Sequence, residues 1–452
     1  MRINRIAVKK LFGIFDHEIP LNTKDHITII HGPNGFGKTI LLTLINEVFN
    51  SQYEKLFEIP FNELIICFDD NSTLCLKKNG NTSMSEGKKM GGEISIILEF
   101  SKPGSKTKTS KIESINPERR HFPGNFLERI LPNLEKINET TWLYLPTGEQ
   151  LSLYKVLDRF RDSLPSDFLE EFRLIDDESW FKKIKESIDI HFIETQRLLR
   201  VSQYRITREL EERRSMIPAV LNYSNELAKA IRERLEKYGT TAQLLDRTFP
   251  IRLVKEKKEQ LTKPTIEELE NDLHQLESKR SRLIDAGFFA QEQGVEDKDL
   301  QKVDAGNIDV ISVYIKDVKQ KLSIFDDLTE KIELIVKIIN SRFLYKKLSI
   351  SNKDGFVFKT PVGKILPLTS LSSGEQHELV LLYELLFKVK ANSLILIDEP
   401  ELSLHVAWQA QFLNDLEQIT RLAGFDVLIA THSPDIIQER WDLTVELKGT
   451  QQ

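Results

Sequence analysis

The sequence predicts an α/β fold, a mixed sheet with helices, interrupted by a helical insertion. Three observations predict it. β-branched runs suited to buried strands recur at both ends of the 452 residues, as "HITII" before Gly32, "SLILID" before Glu399 and "VLIAT" before His432. The first of them passes into a glycine loop and then into "TILLTLINEVF", which carries apolar residues at helical spacing. Between about Arg200 and Arg342 the pattern changes to long charged segments with heptad-like apolar positions, which read as helices. These shifts divide the chain into residues 1–199, 200–345 and 346–452.

Composition bounds the function. A 40% hydrophobic content is that of an ordinary globular protein, and a net charge of −6 leaves any nucleic-acid surface to a local patch. Cys67 and Cys75 flank an apparent hairpin turn in "LIICFDDNSTLCLKK", a spacing that suits reduced strand thiols and not a zinc site. The N-terminal "MRINRIAVKKLFGIFDHEI" alternates too quickly for a signal peptide, and no apolar run reaches the roughly 18 residues of a membrane span. A cytoplasmic protein without a membrane partner is expected.

Taken in order, the first element with chemistry is the loop Gly32-Pro-Asn-Gly-Phe-Gly37-Lys38-Thr39, which has the G-x-x-x-x-G-K-[ST] spacing. Its glycines, Gly35 and Gly37 among them, let the N–H groups from Asn34 to Ile40 close around phosphates. Lys38 then places a charge at the terminal phosphates, and Thr39 offers a hydroxyl to Mg²⁺ at a helix N-terminus. In "TSLSSGEQHELV", Ser372 or Ser373 caps a helix that continues through Gly374 and Glu375. "SLILIDEP" then gives a strand that ends in two adjacent carboxylates: Asp398 suits Mg²⁺ through water, and Glu399 is placed to act as base or water-positioning group. "VLIATHSPDII" ends a further strand at Thr431-His432.

In this order the elements resemble those of ABC-type ATPases of the SMC, RecF and OLD kind, whose P-loop head is split in sequence by a helical or short coiled-coil insertion. The resemblance covers roughly residues 1–200 and 345–450. It implies that Ser372, Ser373, Gly374 and Glu375 form the signature element, which meets the γ-phosphate of ATP held by another subunit. It also implies that Gln196, at the end of "IDIHFIETQ", is the glutamine that reports Mg²⁺ and nucleotide state, and that His432 is the switch histidine. One loop and one signature per chain then imply a homodimer or a larger even-numbered assembly. The turn "ELSLH", Glu401 to His405, departs from the Ser-Ala-Leu-Asp form of many ABC proteins and resembles that of OLD-like, defence-associated ATPases.

The chain ends at Gln452, soon after His432, leaving no room for the metal-dependent nuclease domain of the OLD type, so a separate nuclease is expected. Size, the short insertion, "FIETQRL", "LLDRTFPIRL" and "IDEPELSLH" together resemble PtuA, the ATPase family of the Septu anti-phage and some retron-associated systems. That resemblance implies an ATP-controlled oligomer that scaffolds and regulates an HNH nuclease of the PtuB kind. The alternative is a RecF- or SMC-like DNA-repair ATPase that clamps DNA on binding ATP.

Breaks in the helical insertion are expected at Gly239, Pro250, Lys263-Pro264 and Gly287 to Gly306, giving helices of about 20–35 residues. A compact subdomain and a protruding antiparallel coil fit equally. A lysine-bearing loop with Lys102, Lys106, Lys108 and Lys111, followed by Arg119 and Arg120, is a candidate DNA contact, as are Arg200, Arg205, Arg208, Arg213 and Arg214.

Overall fold

Strands from both ends of the chain interleave in one sheet. In the computed structural model its order is Ile190–Ile193, Leu394–Asp398, Asp426–Ala430, Ile27–His31 and Thr444–Glu446, with every neighbouring pair parallel. The three central strands are buried along nearly their whole length, which is why they read as unbroken apolar runs. Ile30 pairs with Ala430, and Ala430 with Asp398, so the carboxyl ends of these strands are level. Ligands bind at that edge of open parallel sheets.

The structure describes residues 1–50, 53–79, 95–113, 126–131, 133–138, 141–145, 148–152, 156, 160, 179–193, 199–201, 216–259, 264–289, 307–402, 404 and 406–449. The fold is mixed α/β with a helical insertion, and it forms two units, Met1–Ile217 with Lys388–Gln452, and Pro218–Phe387.

In the first unit a second sheet is antiparallel, in the order Phe15–Pro20, Ile3–Leu11, Glu63–Phe68, Thr73–Asn79, Ser95–Ser101 and Lys108–Glu113. Its strands alternate buried with part-exposed positions, as a sheet with one covered face does. The helix Lys38–Phe49 lies against Ile190–Ile193 and Leu394–Asp398 and shares one core with the second sheet. Leu41, Leu42, Leu44, Ile45 and Val48 are fully buried. Even Glu47 is buried, held by Lys55 at 3.2 Å, so burial extends beyond a single apolar stripe of this helix.

Cys67 and Cys75 sit on neighbouring antiparallel strands and are free. Burial pushes the Cys75 thiol up to about 11, which disfavours the thiolate. The lysine-bearing segment read as a loop is instead a hairpin. Lys108 and Lys111 lie on its second strand, because Ile112 pairs with the fully buried Ile96, and Lys102 donates to Asp70 at 3.1 Å. Arg119, Arg120, Arg205, Arg208, Arg213 and Arg214 lie outside the described residues.

The second unit corrects the expected breaks. A single helix of 41 residues, Ala219–Glu259, runs through both Gly239 and Pro250. Proline removes an N–H and crowds the preceding turn. In the turn before it, Thr248 Oγ1 donates to Leu244 O at 2.9 Å, and Arg252 donates to Leu245 O at 2.6 Å. Arg252 also pairs with Asp317, and Lys321 with Asp246 at 2.8 Å, bracing the long helix against Ile308–Leu322 through the region of the proline. The break before Ile266–Asp285 is present, with Thr265 and Glu268 forming a capping box.

This unit extends to Phe387, past the 345 boundary read from the sequence, and takes in the helix Ser373–Tyr383, which holds the expected signature residues Ser373, Gly374 and Glu375. The reason is packing that local pattern does not show. Tyr383 stacks on Tyr223 at 4.5 Å, Tyr223 donates to Glu384 at 2.5 Å, and Glu378 forms a buried ion pair with Arg342. Among the described residues no helix is long and apolar enough to cross a membrane.

Candidate active site

The strand Ile27–His31 delivers the chain to the sheet edge, and the helix Lys38–Phe49 carries it back. The turn between them demands glycine. Gly35 and Gly37 both sit at φ +87°, and a Cβ on Gly37 would lie 2.6 Å from Leu11 Cδ2. His17 underpins the loop: it is buried, its Nε2–H donates to Phe36 O at 2.9 Å, and Phe15 packs on both rings. Burial holds the His17 imidazole below its ordinary pKa, which keeps it neutral.

Lys38 is only 6% exposed, and its ammonium donates to Gly32 O at 2.7 Å and Pro33 O at 3.2 Å. A buried cation whose acceptors among the described residues are carbonyls is suited to an anion, since a phosphate oxygen offers a charge-assisted bond. Thr39 Oγ1 donates to Asp398 Oδ1 at 3.2 Å, so the hydroxyl and the carboxylate that the sequence marked for Mg²⁺ stand together. Burial raises the Asp398 carboxyl above its usual range, the Thr39 hydrogen bond opposes this, and the charges of Glu399 and Glu401 add to the rise. A bound cation reverses that balance. The donor set therefore fits a hard divalent ion beside phosphate.

Glu399 has φ +43°, left-handed backbone for a residue with a side chain, at a cost of roughly 1–2 kcal/mol. Its N–H donates to Ala430 O at 2.8 Å, and its own carbonyl accepts from Leu402 N–H at 3.1 Å, which hold the turn. His432 follows the strand Asp426–Ala430, with Nδ1 3.6 Å from Glu399 Oε1. A cavity of about 320 Å³ opens over the loop, lined by Phe12, Asn34, Gly35, Gly37, Lys38, Thr39, Ile40 and Glu399.

Asn34, Gly35, Gly37, Lys38, Thr39, Ile40, Asp398, Glu399 and His432 thus come together in the first unit. Ser372, Ser373, Gly374 and Glu375 belong to the second. There Ser372, rather than Ser373, is the cap: Ser372 N–H donates to Glu375 Oε2 at 2.9 Å and Glu375 N–H to Ser372 Oγ at 3.3 Å. Lys346 reaches the Glu375 carboxylate at 2.8 Å. Burial works against ionisation of Glu375, but the hydrogen bonds from Lys346 and Ser372 outweigh it and hold the carboxyl below its usual range. The Glu375 side chain is thus taken up by the cap, while Ser373 and Gly374 begin the helix. Gln196 lies outside the described residues.

Sequence reasoning missed three residues. Phe12 stands on the turn between the first two strands, at φ +54°, 39% exposed and facing the cavity; its only signal was an aromatic within "KLFGIF". The loop contact of His17 has no local signal. Glu401 was visible as a third acid in "DEPE", but not its contacts.

A protein-family model described as an AAA ATPase domain matches residues 1–437. Among solved structures, the Smc head domain with an extended coiled coil from Pyrococcus furiosus is 13% identical, covers 99% of this chain and 94% of its own, and has a TM-score of 0.31. The SMC head domain from Thermotoga maritima is 10% identical over 97% of this chain and 92% of its own, with a TM-score of 0.33. No curated protein matches the sequence.

Proposed function

The chain belongs to the AAA ATPase domain family, and from that premise we propose that it binds and hydrolyses Mg²⁺-ATP over the loop Gly32–Thr39. The observation that carries this reading is the convergence of Lys38, Thr39, Asp398, Glu399 and His432 at the level ends of three parallel strands. Lys38 and the loop N–H groups hold the phosphates, and Thr39 with Asp398 holds the metal. Mg²⁺, when bound, neutralises charge on the β- and γ-phosphate oxygens. Glu399 orients a water and takes its proton as the oxygen bonds to the γ-phosphorus and the bond to the bridging oxygen breaks, releasing ADP and phosphate. His432 contacts the γ-phosphoryl group. Phe12 offers an aromatic face to the base.

Lys38→Ala should abolish ATP binding by calorimetry, whereas Glu399→Gln should bind ATP and lose hydrolysis by about 10²-fold or more. Wild-type affinity in Lys38→Ala overturns the reading.

The finer reading is a regulatory subunit. Ser373 and Gly374 start a capped helix whose free N–H groups and dipole suit the γ-phosphate on a second copy, so two chains close on ATP as a homodimer or larger even-numbered assembly. The resemblance to PtuA supports a role in anti-phage defence, in which this assembly docks an HNH nuclease and ATP state controls it. Co-purification of the tagged chain with the products of its neighbouring genes, followed by nuclease assays across ATP concentrations, tests this. A co-eluting nuclease that ATP restrains is expected. A chain that elutes alone and clamps DNA only with ATP supports the repair-type alternative.

A further inference from the structure

Glu401 makes contacts that neither a turn nor a helix cap requires. Its side chain is only 7% exposed, and three groups converge on its Oε1. Thr431 Oγ1 donates at 2.7 Å, the His432 N–H donates at 3.3 Å, and His432 Nδ1 stands at 3.5 Å. The same Nδ1 is 3.6 Å from Glu399 Oε1, so one ring nitrogen faces two carboxylates. Glu401 Oε2 is buried without a hydrogen-bond partner among the described residues, an expensive arrangement for a group that merely shapes a turn. Its backbone is fixed as well, since Gln409 Nε2 donates to Glu401 O at 3.1 Å.

We propose that Glu401 is a positioning residue that acts through His432, holding the imidazole with its proton on Nδ1 and turned toward Glu399. Which ring nitrogen carries the proton is set by what each faces, and here both atoms that face Nδ1 are carboxylate oxygens. Nε2, on a side chain 47% exposed, is left as the nitrogen available to the nucleotide. Thr431, fully buried, donates to the same carboxylate oxygen and fixes it in place. The inference rests on the reading of His432 as a nucleotide-contacting residue, and it adds that the acid after Pro400 orients that histidine.

The tautomer can be read without any activity. In protein labelled with ¹⁵N-histidine, long-range ¹H–¹⁵N spectra at a pH where the ring is neutral should show His432 protonated at Nδ1, with the signal assigned by its loss in His432→Gln. Glu401→Ala should move the proton to Nε2, and Glu401→Gln, whose amide oxygen can still accept, should retain it on Nδ1. An Nε2-protonated ring in the wild type, or an unchanged tautomer in Glu401→Ala, overturns the proposal. In ATPase assays Glu401→Ala should lower kcat by about 10- to 100-fold with KM within about twofold. The double variant Glu401→Ala/His432→Ala should be no slower than His432→Ala alone, and additive losses would show that Glu401 acts elsewhere. If the wild type fails to hydrolyse ATP, the ATPase reading falls while the spectra still decide the role of Glu401.

Discussion

The ion pair of Arg342 with Glu378 offers a quantitative test of how the helix Ser373–Tyr383 is held. Arg342 ends the helix Asp326–Arg342, Glu378 lies in the helix Ser373–Tyr383, and their side chains are 3% and 2% exposed. Burial pulls the arginine down to about 10, a sign of how little water reaches it. Glu378→Ala removes the carboxylate and leaves the guanidinium in that setting. Loss of one partner from such a pair costs about 3–5 kcal/mol. For a unit the length of Pro218–Phe387 each kcal/mol lowers the melting temperature by roughly 2–4 °C, so a fall of about 10 °C is expected. Replacing both residues by apolar ones, Arg342→Met with Glu378→Leu, removes the desolvation penalty together with the attraction and should lie within about 1 kcal/mol of wild type. Urea and thermal unfolding of the two singles and the double close the cycle. A single substitution worth under about 1 kcal/mol, or a double variant as unstable as the worse single, would refute the claim that this buried pair pins the helix.

Three other perturbations follow from the same geometry. Gly37→Ala forces a Cβ to 2.6 Å from Leu11 in left-handed backbone, so ATP binding should be lost and stability should fall by about 1–3 kcal/mol; an unaltered nucleotide titration would contradict the close approach. His17 is held below its ordinary value of 6.5 by burial, so its neutral form favours the fold above that pH, and stability should drop as pH falls below it. His17→Gln should flatten that slope in unfolding measured between about pH 7 and 5, and an identical slope would exclude His17 as its source. Ser372→Ala removes the acceptor for Glu375 N–H and should cost about 1 kcal/mol by urea midpoint, whereas Ser372→Asp should restore most of it; an aspartate variant as weak as the alanine one would argue against the cap.

Much of this protein is legible without coordinates. A β-branched run, a glycine loop and an amphipathic stretch follow one another within 24 residues of chain from His26, and each has a local cause: stiff side chains for the strand, absent Cβ atoms for the turn, spacing for the helix. The acids Asp398 and Glu399 stand at the end of an apolar run, so their place at a strand terminus is equally local. The sequence by itself therefore determined the α/β class and the interruption by helices, and it singled out the residues to which the proposed phosphate and metal chemistry falls. Tertiary structure alone decided what depends on partners distant in the chain. Gly239 and Pro250 do not break the long helix, which the pairs Arg252–Asp317 and Asp246–Lys321 brace against Ile308–Leu322 on either side of the proline. The helix Ser373–Tyr383 belongs with the insertion because Tyr223 and Arg342 hold it there, more than 30 residues away in sequence. His17 under Phe36 and Glu401 under His432 are contacts of burial and register, and no periodicity within either segment encodes them.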